Sequence, residues 1–137
     1  MGIVFPYTVV GPTGRPKKPY LFAVMRHEGR YTPPINFLVD TGSDFCIFDA
    51  AIAVDFLGLD VVSRGRPERI SGIEKSVEAW VHPVEIYVRD LRRAFHIQEA
   101  YFSQLRGLAG VLGHNGFLDR LIVRFSRGKF FEIIEEP

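Results

Sequence analysis

The stretch Phe37-Leu38-Val39-Asp40-Thr41-Gly42-Ser43-Asp44 decides how the rest of the chain is read. Three apolar residues run into a carboxylate, followed by a hydroxyl residue, a glycine and a second hydroxyl residue. Such an apolar run reads as a buried strand, and the glycine after it marks a sharp turn. A carboxylate at the end of a buried strand is costly unless hydrogen bonds satisfy it. Thr41 and Ser43 offer hydroxyls, and Gly42 offers a bare backbone whose N–H groups can come close. The stretch therefore places one hydrogen-bonded carboxylate at the edge of a rigid core.

Upstream, Tyr20 to His27 alternates, with Leu21, Ala23 and Met25 on one face. Glu28-Gly29-Arg30 turns the chain into a returning strand, Ile35 to Val39, which delivers Asp40 to its end. Ile3 to Val10 is β-like, but Pro6 confines it to an edge or a bulge, and Gly11 to Pro19 reads as an exposed turn. Downstream, Phe45 to Phe48 is a strand. Asp49 is the expected cap of a short helix, Ala50 to Leu57, closed by Gly58. Val61 to Arg69 is expected as a strand running into polar loop residues, and Ile70 to Ser76 as a hairpin tip. Alternation resumes at Val77, Ala79 and Val81, Val84 to Val88 is a further strand, and Ala94 to Phe102 follows the turn at Asp90 to Arg93. Val111-Leu112 is a short buried strand ending at Gly113, and Phe117 to Arg120 a short helix. Leu121 to Phe125 then pairs with Lys129 to Ile134 around Ser126-Arg127-Gly128. The class is all-β, mainly β with two short helices, without internal repeats.

The catalytic loop of the aspartic proteases has this form: apolar residues, Asp, Thr or Ser, Gly, then Ser or Ala. Phe37 to Ser43 resembles it. Val111-Leu112-Gly113-His114-Asn115 resembles the family's second signature, two apolar residues and Gly-x-Asn or Gly-x-Asp. Leu57-Gly58-Leu59 resembles the end of the helix that many bacterial and cellular members carry after the loop. From about residue 20 to 134 the order of these features resembles the retropepsin-like branch, which implies an acid-protease barrel with one half-site per chain. The resemblance implies Asp40, Thr41 and Gly42 as catalytic residues, with Ser43, Asp44, Gly72, Ile73 and Val111 toward substrate and Gly72-Ile73 at a flap tip. His114 stands where viral enzymes carry Arg, which implies a protonation-dependent ion pair to Asp44.

Composition narrows the alternatives. The 137 residues are read as a single domain, 1–137, with 47% apolar and 24% charged residues, the balance of an ordinary globular protein. A formal charge of +1 provides no strong field for nucleic acid or an acidic membrane, and the pair Lys17-Lys18 and the trio Arg89, Arg92 and Arg93 read as solvated surface. The lone Cys46 excludes an internal disulfide and reads as a buried core thiol, consistent with a reducing, cytoplasmic setting. No basic region with a long apolar run opens the chain, so neither a signal peptide nor a membrane span is expected. His27, His82, His96 and His114 have no metal-ligand spacing, so no metal or other cofactor is expected.

Aspartic protease chemistry needs two carboxylates around one water. Like charges about 3 Å apart cannot both ionise, so one serves as acid and the other as base. The chain has one Asp-Thr-Gly; Asp49, Asp55, Asp60, Asp90 and Asp119 lack its flanking residues. A catalytic reading therefore requires a homodimer in which Asp40 meets its symmetry mate, acting on a peptide or protein substrate. In that reading the Ser43 hydroxyl donates to Asp40. The alternative from a different class is a non-catalytic peptide-binding or dimerisation module on the same fold.

Overall fold

The computed structural model describes residues 2–9, 16–71 and 76–135. The flap-tip pair Gly72-Ile73, with Glu74 and Lys75, lies outside the described residues, as does most of the expected turn from Gly11. In chain order the strands and helices begin with β1 (Gly2–Pro6), β2 (Tyr20–His27), β3 (Arg30–Tyr31), β4 (Ile35–Val39) and β5 (Ile47–Asp49). Next come α1 (Ala50–Leu57), α2 (Val61–Arg64), β6 (Arg66–Ser71) and β7 (Ser76–Val88). A 3-10 turn at Arg89–Leu91 leads to β8 (Arg93–Ser103) and β9 (Gly110–Leu112), and another at Leu118–Arg120 leads to β10 (Ile122–Ser126) and β11 (Phe130–Ile134).

β2 buries Leu21, Ala23 and Met25 and leaves Phe22 exposed, as its alternation requires. The return strand is broken between β3 and β4 at Pro33-Pro34, which have no N–H to donate, and Thr32 just before them is buried. Its backbone N–H donates to the Met25 carbonyl at 2.9 Å, and its Oγ1 accepts from the Met25 N–H at 3.0 Å. β2 also pairs with β7, Met25 opposite Ile86, so the eight-stranded sheet closes on itself as a barrel. Inside, Phe37 of β4, Phe48 of β5 and Phe102 of β8 form an aromatic chain, with centroids 5.4 and 5.7 Å apart. All three are fully buried. Each contributes on the order of 2–3 kcal/mol by leaving water. Outside the barrel, β1, β11 and β10 make a separate three-stranded antiparallel sheet around Phe131 and Ile133. Pro6 ends its edge strand β1, as the sequence requires.

Three local expectations are corrected. Val61 to Arg64 is helical, because Asp60 caps it by accepting from the Ser63 N–H at 3.1 Å while Val61 turns into the core; the strand begins only at Arg66. Val77 to Val88 is one strand with an irregularity between His82 and Val84, where Pro83, which has no N–H, is exposed. Asp49 sits at the helix boundary but caps nothing; its Oδ1 accepts from the Leu105 N–H at 3.3 Å. α1 does end at Gly58, whose φ of 61° lets its N–H reach the Ala53 carbonyl.

Candidate active site

The site rests on an insertion. β9 lies between β4 and β5, parallel to β4 (Leu38 opposite Val111, Val39 opposite Leu112) and antiparallel to β5 (Ile47 opposite Val111). The loop from Asp40 to Cys46 therefore leaves β4, arches over the end of β9 and returns as β5. The Asp40 N–H donates to the Leu112 carbonyl at 3.1 Å and the Ser43 N–H to the Asp40 carbonyl at 3.3 Å. The Gly42 N–H donates to Asp40 Oδ1 at 2.9 Å, so the strand-end carboxylate is met by backbone as the sequence requires.

The residues following β9 clamp the outer part of the same loop. The His114 N–H donates to the Ser43 carbonyl at 2.9 Å and the Asn115 N–H to the Asp44 carbonyl at 2.8 Å. Gly113 is what permits this: a Cβ there would run into the carbonyl oxygens of Phe45 and Ser43. Cys46 is fully buried beneath, its thiol 3.9 Å from the Gly113 carbonyl, and burial pushes its pKa up to about 12. It is a core thiol and a poor nucleophile at neutral pH. Phe45 packs on Tyr101 of β8, with centroids 4.6 Å apart.

The two motifs singled out in the sequence are thus brought together. Asp40 is half-buried; Thr41, Gly42 and Asp44 are exposed; Ser43 is half-buried. Val111 is 9% exposed in the central strand, which confines any contact with a ligand to a small remnant of its surface. Two expected contacts are absent. The Ser43 hydroxyl donates to the Phe45 carbonyl at 2.7 Å instead of to Asp40. The His114 ring makes no ion pair with Asp44; its Nε2 lies 2.7 Å from the Thr41 carbonyl instead. Sequence reading also missed the tie from Asp49 to Leu105, which holds the chain between β8 and β9 against the base of α1; no local signal marks so distant a partner.

The fold that carries this loop is shared with solved structures. A retropepsin-like aspartic protease from Rickettsia conorii matches with a TM-score of 0.68 at 18% identity, over 97% of this chain and 90% of that one. The fold is retropepsin-like. The EIAV protease complexed with the inhibitor HBY-793 matches with a TM-score of 0.55 at 22% identity, over 81% of this chain and 93% of that one. No family model matches the sequence, and no curated protein does. Asp40 directly follows β4 and Gly113 directly follows β9. Among the described residues no group of three or more His, Cys, Asp or Glu side chains is placed to hold a metal, and no helix is long and apolar enough to cross a membrane.

Proposed function

We propose that this chain supplies half of an aspartic endopeptidase. Two copies associate so that Asp40 of each faces the other across a two-fold axis, and the pair activates one water for attack on a peptide bond. The observation that carries the reading is the Asp40-Thr41-Gly42 loop, held by β9 with its carboxylate on the Gly42 N–H, within a retropepsin-like fold.

The chemistry follows from two facing carboxyl groups with one proton between them. The ionised one takes a proton from the water as its oxygen attacks the peptide carbonyl carbon. The protonated one donates to the carbonyl oxygen. As the tetrahedral intermediate collapses, the C–N bond breaks and the amine leaves with a proton from the dyad. The reaction needs neither a covalent enzyme intermediate nor a cofactor. Thr41 is exposed beside Asp40, and in this reading it locks the two loops to each other. In this reading Gly42, Ser43, Asp44 and Val111 belong to the floor on which an extended peptide lies, and the flap role of Gly72-Ile73 rests on the sequence resemblance alone; main-chain pairing suits such a substrate.

Association is supported by one face of the three-stranded sheet, where Val4, Ile122 and Phe130 are exposed. One domain spanning 1–137 gives one half-site, and the single buried thiol suits the cytoplasm. The test is digestion of a mixed peptide library from about pH 3.5 to about pH 7.5 by the protein and by Asp40→Asn. The expected outcome is turnover by the wild type, reduced at least about 100-fold in the variant. Stoichiometric binding without turnover in both would replace this reading with a peptide-binding module.

A further inference from the structure

His114 meets the Asp40 loop at two points. Its backbone N–H donates to the Ser43 carbonyl at 2.9 Å, and its ring Nε2 lies 2.7 Å from the Thr41 carbonyl. The two contacts fall on either side of Gly42. The His114 backbone is itself fixed from behind, because its carbonyl accepts from the Asp119 N–H at 3.0 Å. The ring therefore reaches the loop from a held backbone.

The Thr41 carbonyl and the Gly42 N–H belong to one peptide group, and in a trans peptide they point to opposite sides. On one side the carbonyl meets His114 Nε2; on the other the N–H donates to Asp40 Oδ1 at 2.9 Å. A single line of hydrogen bonds thus joins imidazole, amide and carboxylate. A carbonyl oxygen only accepts, so Nε2 carries a proton. Each donor in such a line polarises the next, which makes the Gly42 N–H a better donor to Asp40. Orientation matters more. Gly42 has no side chain to resist rotation of this peptide group. Were the group to turn over, a carbonyl oxygen would face the Asp40 carboxylate in place of an N–H. Among the described residues, His114 Nε2 is the one donor on the Thr41 carbonyl, so the ring is the contact that opposes that rotation.

We infer that His114 is a positioning residue, a role that presupposes the endopeptidase reading: through the Thr41–Gly42 peptide group it holds the Gly42 N–H on Asp40 and so fixes the carboxyl group that exchanges a proton with the water. Both bonds are exposed to solvent in the single chain, so neither adds much to stability. The consequence falls on turnover, where a small displacement of a reacting group is costly. A carbonyl accepts from a neutral and from a charged imidazole alike, so this contact, unlike an ion pair with Asp44, does not require a protonated ring.

The test compares the full wild-type chain with H114F, which keeps a ring without a donor, and with H114Q, whose side-chain amide nitrogen can take the place of Nε2. In proton–nitrogen NMR spectra the Gly42 amide proton, deshielded by its carboxylate acceptor, should move upfield in H114F, move the same way in Asp40→Asn, and return in H114Q. In peptide turnover, kcat should fall about tenfold in H114F with KM little changed, and H114Q should recover most of the loss. The urea midpoint of H114F should stay close to that of the wild type. A Gly42 resonance unmoved in H114F would overturn the inference, as would an unchanged kcat, or a loss of kcat that H114Q fails to restore. A urea midpoint lowered in step with turnover would give His114 a structural role and overturn it as well. The wild type alone supplies a further check, since a neutral ring protonated on Nδ1 instead of Nε2 would contradict the contact. Absence of turnover by the wild type would remove the protease reading, and the Gly42 resonance would still decide whether His114 holds the Asp40 loop.

Discussion

At Gly113 one added methyl group would reach two backbone carbonyl oxygens of the Asp40 loop, and backbone cannot step aside as a side chain can. Gly113→Ala is expected to cost about 1–3 kcal/mol and to displace the loop. Urea denaturation should show the loss of stability, and peptide turnover should fall further than stability does. Cys46 makes a second residue-scale prediction. Burial raises its pKa from 9.0 to about 12, so the folded chain holds this proton where the unfolded chain has released it. Its contribution to stability is complete below pH 9.0 and is lost as the pH rises toward about 12, at about 1.4 kcal/mol per pH unit. Stability measured from pH 8 to pH 10.5 should therefore fall more steeply for the wild type than for Cys46→Ala. Equal slopes would contradict a buried, protonated thiol.

At the scale of elements, one hydroxyl completes the pairing of β2 where the returning strand breaks off before Pro33 and Pro34. Thr32 is 1% exposed and its Oγ1 accepts from the Met25 N–H, so Thr32→Val conserves shape and orphans a buried donor. A cost of about 1–3 kcal/mol is expected, read as a shift in the urea midpoint with an unchanged slope. What was legible in the sequence at this scale follows from how local each cause is. β2, β4, α1 and the β10–β11 hairpin were legible because alternation, a closing glycine and a turn sequence sit within a few residues of each other. α2 was misread because two valines carry a strand preference, which the Asp60 cap and the burial of Val61 override. Asp49 looked like a cap from its position, but its carboxylate is taken by Leu105, 56 residues away.

At the scale of the molecule, Asp40 was legible as a satisfied strand-end carboxylate from its own neighbours. Its partnership with Gly113 was not, because no spacing rule joins residues 73 apart; that link came only through resemblance to a family. The parallel pairing of β4 with β9 brings the two motifs together, and such long-range pairings leave no local pattern. The contacts of Ser43 and His114 escaped for the same reason: the geometry of the clamp decides which carbonyl each side chain meets. The central claim is that each chain holds half a dyad, and titration of Asp40→Asn into a fixed concentration of wild type tests it most directly. With random pairing, peptide turnover should fall to about half at equal amounts and to about one-eleventh at tenfold excess, as mixed dimers replace active ones. Turnover that stays constant throughout the titration would show that each chain works alone, and would contradict a catalytic pair formed from two copies of Asp40.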